Sequence, residues 1–533
     1  MKRFSKKISQ FWLIVISSII LTTFYNYSFW SNVFLVYPFD TQNWYYLVSL
    51  YIFFTAITAL LFTLVSSKYT TKFFLILIFI SSSFAGYFMN AYGVIIDDHM
   101  IQNALETNSS ETADLLTWKM GGYFLFLGLL PSIIIYKIDI AYKSFKSELF
   151  TKLKAIVLFI VLIVVILFSF SKFYTSFFRE HKSLRFYTNP TYHIYSVGKY
   201  FILKATSITK FEQLGTDAKN ISTDKKPKLV IFVVGEAARA ANFSLNGYQK
   251  QTNPTLALED IINYPNATSC GTETAISVPC MFSIYGRSDY SDSKGKSTEN
   301  LIDVLSHAKI NLLWRDNNSD SKGVATRITY EDLNNAQDEK LCGDGECFDE
   351  ILLKNLQTYV DKQTADTLIV LHQKGSHGPA YYKRYPKEFN KFTPICESNQ
   401  LEQCTQQQIQ NAYDNTILYT DYFLSKTIDF LKSNQNKYQT AMIYSADHGE
   451  SLGENGVYLH GMPYMLAPDN QTHIGFLQWF GDDFKKKLNS NCLKQNASKD
   501  VSHDNLFHSI LGIMDIKTSV YDEKLDMFQE CRN

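Results

Sequence analysis

The stretch Thr440-Ala441-Met442-Ile443-Tyr444-Ser445-Ala446-Asp447-His448-Gly449-Glu450 decides how the chain is read. An apolar run of strand length breaks off into an acid, an imidazole and a second acid. In open α/β sheets, ligands bind outside the carboxyl ends of the strands. Three other runs end in the same manner. Leu229–Val234 passes into Gly235 and Glu236, and Thr367–Leu371 into His372 and then His377. Ile310–Trp314 passes into Arg315, Asp316, Asn317, Asn318, Ser319 and Lys322. Helical stretches alternate with these runs, which predicts a mostly parallel sheet covered by helices. Four strands then deliver acids, histidines and amides to one edge, a convergence that solvated loops do not explain.

The donors are specific in kind. Glu236, Asp447 and His448 make a mixed oxygen and nitrogen set suited to a catalytic zinc, whose fourth position stays open. Taken singly, Glu236 reads equally well as a helix cap and Asp447–Glu450 as a turn. The stretch Ser269-Cys270-Gly271-Thr272-Glu273-Thr274 supplies hydroxyls for the open position. A hydroxyl is unreactive at neutral pH until a base or a metal takes its proton. Ser269, Thr272 and Thr274 are equal candidates on spacing, and a helix-capping threonine is the commoner role for each. His377 and His460 fit a second metal, or a hydrogen bond to phosphate with proton delivery to a leaving oxygen. Alone, they read as satisfied surface histidines. Lys322, with Asn318 and Ser319, would offset phosphate charge; its plainer role is a turn lysine. His503 and His508 read as structural, and His372 is left open.

The rest of the 533 residues separates into two textures. Basic and acidic side chains number 51 each, so no charge excess points to nucleic acid. Up to Phe170 the chain is apolar. Phe11–Trp30, Trp44–Val65, Phe73–Ile96, Gly121–Ile138 and Ala155–Phe170 approach the roughly 20 residues of a membrane span. Phe173, Tyr174 and Phe177 extend the last one as an aromatic edge suited to the interface. Lys2, Arg3, Lys6, Lys7, Lys68 and Lys72 lie on one side of these spans, with Lys137, Lys143, Lys146, Lys152 and Lys154. The alternate links, Ser31–Asn43 and Asp97–Met120, hold only Lys119. The positive-inside rule therefore makes the amino terminus cytoplasmic and, after five crossings, places the large domain outside.

The expected organisation is a five-helix membrane domain over 1–170, an amphipathic interfacial linker over 171–225, and an external catalytic domain over 226–533. All eight cysteines fall in the last, which suits disulfides in an oxidising compartment. Spacing does not fix connectivity; joining neighbours gives Cys270–Cys280, Cys342–Cys347, Cys396–Cys404 and Cys492–Cys531. In the external link, Asn103, Thr107 and Glu111 are spaced to share one helix face. On spacing alone that face reads as solvated, with a lipid head-group site as the alternative.

Together these motifs resemble the lipid A phosphoethanolamine transferases, a family that includes the mobile colistin-resistance enzymes. The resemblance covers essentially the whole chain. Its carriers are Val234-Gly235-Glu236, Arg239-Ala240, Asn242–Tyr248, Cys270–Thr274, Ser277–Ser283, Ser376–Pro379 and Asp447–Glu454. It implies an alkaline-phosphatase-like α/β fold and zinc held by Glu236, Thr274, Asp447 and His448, with Thr274 as nucleophile. It implies catalytic or phosphate-contacting roles for His377, His460 and Lys322, with a possible second zinc near the two histidines. It implies substrate contacts from Asn318 and Ser319, and a head-group face of Asn103, Thr107 and Glu111. The implied donor is phosphatidylethanolamine and the acceptor lipid A, handled by a monomer in a Gram-negative inner membrane with its catalytic domain in the periplasm. Two departures stand out. Ala237 and Ala238 follow the glutamate where similar enzymes have a hydroxyl, and Ser321 and Ala325 stand where many have cysteines. The rival readings are a phosphoglycerol transferase, a sulfatase, and a non-catalytic receptor or scaffold. No Cys-x-Pro-x-Arg-like sulfatase motif occurs, and a receptor predicts a lost ligand where none is lost.

Overall fold

The computed structural model describes residues 7–41, 43–107, 109–206, 210–343 and 345–533, the side chains of 109–111 and 206 excepted. Lys2, Arg3 and Lys6 lie outside the described residues. The chain divides into two compact units, one of Met1–Ile101 with Leu116–Tyr200 and one of Gln102–Leu115 with Phe201–Asn533.

The first unit is helical. Trp44–Val65, Thr71–Tyr92, Trp118–Lys137 and Phe145–Ser169 are each long and apolar enough to cross a bilayer. The first expected span is instead a bent pair, Gln10–Phe24 and Tyr27–Val36, at 61°. Asn26 is the cause. Its side chain donates to the Leu21 carbonyl at 2.9 Å and accepts from the Asn189 amide at 2.8 Å, so the interrupted backbone stays satisfied. The last span begins at Phe145, ten residues before the expected start, because Lys146, Lys152 and Lys154 lie inside the helix. Lys152 Nζ caps the end of Trp44–Val65 by donating to the carbonyls of Leu64 and Ser66 at 2.9 and 3.0 Å. Pro131 sits just beyond a π-helical turn, Phe124–Leu129. There Ser132 Oγ donates to the Gly128 carbonyl at 2.6 Å. Gly128 is small by necessity, since a Cβ would stand 2.8 Å from Ser83 Oγ.

Phe173, Tyr174 and Phe177 are not an interfacial edge. They are buried with Phe29, Leu47, Phe53 and Phe54, because the short helix Ser171–Glu180 turns back onto the bundle. A longer helix, Thr191–Thr206, follows.

The second unit is built on a seven-stranded sheet: β1 (Lys228–Gly235), β2 (Ile261–Asn263), β3 (Asn311–Asp316), β4 (Thr329–Asp332), β5 (Thr367–His372), β6 (Gln439–Ala446) and β7 (Phe476–Phe480). The order across it is β2-β7-β6-β1-β5-β3-β4, with β6, β1, β5, β3 and β4 parallel and β7 reversed. The four runs expected from the sequence are β1, β3, β5 and β6. Strands β1, β5 and β6 are buried along their whole length, which is why they read as unbroken apolar runs. The helix Gln406–Ser433 lies over the sheet, started by a capping box of Thr405 and Gln408. Register puts Val234 of β1 opposite both His372 and Ser445, so three strand ends are level where Glu236, His377 and Asp447 leave the sheet. The four disulfides join Cys270–Cys280, Cys342–Cys347, Cys396–Cys404 and Cys492–Cys531.

Candidate active site and metal centre

Three hydroxyls competed for the nucleophile on spacing, and their neighbours separate them. Ser269 Oγ donates to the Gly271 carbonyl at 2.6 Å, and Thr272 Oγ1 is held by the Met462 carbonyl at 2.6 Å. Thr274 begins the helix Thr274–Met281, with Glu273 as the residue before it in extended conformation. Its Oγ1 donates to Glu236 Oε2 at 3.0 Å and lies 3.4 Å from His448 Nε2. The Cys270–Cys280 disulfide ties the loop before this helix to its last turn.

Around that oxygen, His448 Nε2 stands 3.3 Å from Glu236 Oε1 and 3.4 Å from Asp447 Oδ2. Both carboxylate oxygens are buried and receive no hydrogen bond. The three ligand atoms lie within 4.8 Å of one another. Their other atoms are fixed. Asp447 Oδ1 accepts from the amides of Ala237 at 3.1 Å and His448 at 2.7 Å, and Glu236 Oε2 accepts from Asn318 Nδ2 at 2.8 Å. His448 Nδ1 donates to the Gly449 carbonyl at 2.8 Å, so Nε2 is the nitrogen that carries a lone pair once the ring is neutral. Two buried carboxylates beside one imidazole perturb each other. Burial and the charge of Glu236 push Asp447 up to about 7. Burial opposes charge on Glu236 as well, but the adjacent His448 outweighs it and holds that carboxyl well below the usual range. Burial disfavours the His448 cation, yet both acids drive it up to about 10. A divalent cation would relieve this frustration by taking all three lone pairs.

A second group of donors adjoins the first: His448, Glu450 and His460 also lie close enough to share an ion. His460 Nδ1 is 2.7 Å from Glu450 Oε2, and Tyr381 holds the other oxygen of Glu450 at 2.6 Å. The His377 and His460 rings are 5.4 Å apart, edge to face.

The structure brings Asn318 into the centre, with Ser319 and Lys322 in the turn that follows. Lys322 Nζ donates to the carbonyls of Ser319 at 2.9 Å and Glu106 at 3.3 Å. Asn103, Thr107 and Glu111 are not on one helix. Asp98–Glu106 ends there, where Thr107 Oγ1 takes the Asn103 carbonyl at 2.6 Å, and a separate helix spans Ser109–Leu115. The Glu111 side chain lies outside the described residues.

At Ala237, which with Ala238 departs from similar enzymes, the loop backbone is bonded on both sides. Ala237 adopts φ 53°, its amide serves Asp447, and its carbonyl accepts from Tyr413 at 2.7 Å. In the polar loop, Ser321 Oγ accepts from the Ala325 amide at 3.2 Å, spanning the gap that cysteines would bridge. His503 and His508 are structural, as expected. His503 ties Ser445 to the Cys270 amide, and His508 accepts from the Asp522 amide. His372 pairs with Asp316 at 2.9 Å beneath the site. Glu450 has no assigned role on spacing alone, although it stands three residues after Asp447 in the same strand-end run.

Comparison with known proteins follows the same two units. The phosphoethanolamine transferase EptA/EptB family matches residues 54–205, and the sulfatase family matches residues 228–516. Phosphoethanolamine transferase EptA of Salmonella typhimurium is 41% identical, covering 84% of this chain and 83% of its own. Phosphatidylethanolamine transferase Mcr-2 of Escherichia coli is 39% identical over 98% of both. The chain belongs to the lipid A phosphoethanolamine transferase family. Within that family, the integral membrane lipooligosaccharide phosphoethanolamine transferase A of Neisseria meningitidis superposes with a TM-score of 0.96 at 34% identity, over 99% of this transferase and 100% of that chain.

Proposed function

We propose that this transferase moves phosphoethanolamine from phosphatidylethanolamine to a phosphate of lipid A through a phosphoethanolamine adduct on Thr274. The observation that supports it is one hydroxyl, Thr274 Oγ1, facing Glu236 and His448 in a pocket where two carboxylate oxygens have no other partner. Glu236, Thr274, Asp447 and His448 would hold one zinc tightly, and a second would bind near His377 and His460. When bound, zinc supplies the charge that makes the threonine oxygen acidic and stabilises the phosphoryl oxygens.

The chain's own groups do the rest. The Thr274 proton leaves along its hydrogen bond to Glu236 as the oxygen attacks phosphorus. The bond from phosphorus to the diacylglycerol oxygen breaks, and that oxygen takes a proton from the His377–His460 pair. Glu450, bonded to His460 Nδ1, leaves Nε2 as the nitrogen free to exchange that proton. An oxygen of a lipid A phosphate then attacks the same phosphorus, and Thr274 departs and regains its proton. First-turn amides of Thr274–Met281 and the side chains of Ser319 and Lys322 would receive the transferred phosphoryl group, with Asn318 beside them, its amide donors held by Glu236 and the Gln373 carbonyl. Asn103, Thr107 and Glu111 contact the head group.

In this reading the apolar helices within 1–170 anchor a monomer in the Gram-negative inner membrane, the part of 171–225 beyond the helix Ser171–Glu180 runs along the interface with Tyr195 exposed, and 226–533 act in the periplasm. Each transfer adds an ammonium to an anionic lipid, which weakens its attraction for polymyxins such as colistin. Mass spectrometry of lipid A from cells expressing the wild type should show added phosphoethanolamine, and Thr274→Ala should remove it. Unmodified lipid A in both strains would overturn the proposal.

A further inference from the structure

Arg384 is a fully buried cation with one partner seven residues back and two from farther along the chain, 38 and 270 residues away. Its side chain is 1% exposed. Nε donates to the main-chain carbonyl of His377 at 2.8 Å, Nη2 meets Asp114 Oδ2 at 2.5 Å, and Nη1 meets Glu346. Asp114 is itself buried. It also takes Lys383 Nζ at 2.5 Å, and its carbonyl accepts from Asn399 at 2.8 Å. Glu346 also takes Lys374 Nζ at 3.0 Å. Two acids and three cations thus form one network that has the buried Arg384 at its centre.

Asp114 belongs to the polar segment Gln102–Leu115, which carries the candidate head-group residues. That segment is held at its other end by Lys322 on the Glu106 carbonyl and by Lys296 on the Glu106 carboxylate, 3.6 Å away. Each end is therefore gripped through a residue at or next to the site: Lys322 at one, and Arg384, which holds His377, at the other. We infer that Arg384 and Asp114 are positioning residues: their ion pair sets the His377 backbone, so that His377 is in place when the polar segment is docked. Only a planar guanidinium presents donors in the three directions required; an ammonium keeps the charge but offers a single point. Lys383 is the internal control. It binds the same Asp114 carboxylate, is 41% exposed, and makes no bond to His377.

This inference rests on the transferase reading and on His377 taking part in it. The test uses the full chain in detergent micelles with fluorescent phosphatidylethanolamine as donor, measuring kcat, KM and zinc content. Arg384→Lys should lower kcat by 10-fold or more, with KM changed less than threefold and zinc content at the wild-type level. Lys383→Met should lower kcat less than threefold. In a His377→Ala background, Arg384→Lys should cost nothing more, since both changes remove one function. Asp114→Asn, a near-isosteric change, should reproduce the kcat loss in smaller measure if Arg384→Lys folds poorly. Equal losses from Arg384→Lys in both backgrounds, equal losses from Lys383→Met and Arg384→Lys, or an effect confined to KM would each overturn the inference. Absence of turnover in the wild type would instead remove the transferase reading, and this inference with it.

Discussion

Replacing Glu236 with glutamine tests the metal centre with almost no change of shape. Oε2 now accepts from Thr274 Oγ1 at 3.0 Å and Asn318 Nδ2 at 2.8 Å, so a glutamine oxygen would settle there. Its amide NH2 would then occupy the place of Oε1, 3.3 Å from His448 Nε2 and without any hydrogen-bond donor aimed at it. A lone pair directed at the cation becomes a donor, and one buried negative charge disappears. Breaking a buried charge pair by removing one partner costs about 3–5 kcal/mol. At about 1.4 kcal/mol per decade, zinc should bind at least 100-fold more weakly to Glu236→Gln. Competition with a chromophoric chelator on the purified full-length protein measures this directly. Affinity within threefold of wild type, with the fold intact, would refute the reasoning, because it would mean that Glu236 Oε1 faces no cation.

Further tests address the scaffold. His503 is buried and held near 4, so its stabilising effect is complete above the unfolded value of 6.5 and lost as pH falls toward 4. The loss should reach about 3 kcal/mol, read from hydrogen exchange of the Thr274–Met281 helix, and His503→Gln should flatten that slope. Joint replacement of Cys270 and Cys280 by alanine opens a loop closed over a separation of 10 residues and should destabilise the external unit by about 2–3 kcal/mol in denaturant titrations. Ser277→Ala removes a buried hydroxyl that donates to the Asp447 carbonyl and accepts from the Gly271 amide. It should cost about 1–3 kcal/mol and lower kcat while the Thr274 hydroxyl stays in place.

Much of this site was legible in the sequence because its ligands leave the ends of apolar runs. Glu236 and Asp447 follow strands buried on both faces, which read as unbroken apolar runs, and joining each cysteine to its neighbour gave the observed disulfides although spacing alone did not require it. What the sequence hid depends on partners far along the chain. The bend at Asn26 is stabilised by Asn189, 163 residues away. Asp114 meets Arg384 across 270 residues, and nothing in either local pattern announces it. Asn103, Thr107 and Glu111 obey helical spacing, but spacing cannot register that a threonine hydroxyl will cap the helix between them. Spacing left Thr274 level with Ser269 and Thr272; only the family resemblance singled it out, and the structure adds that the other two hydroxyls are bonded to carbonyls. Phe173, Tyr174 and Phe177 have the composition of an interface edge, and only the reversal of the chain after Ser169 makes them core.

On the proposed mechanism, Thr274 carries the transferred group. Incubating the purified full-length protein with phosphatidylethanolamine and no lipid A, quenching in acid, and mapping the digested chain by mass spectrometry tests it most directly. The account requires one phosphoethanolamine on the peptide containing Thr274, absent from Thr274→Ala and discharged when lipid A is added. A modified residue elsewhere, or lipid A modified at the wild-type rate by Thr274→Ala, would contradict it.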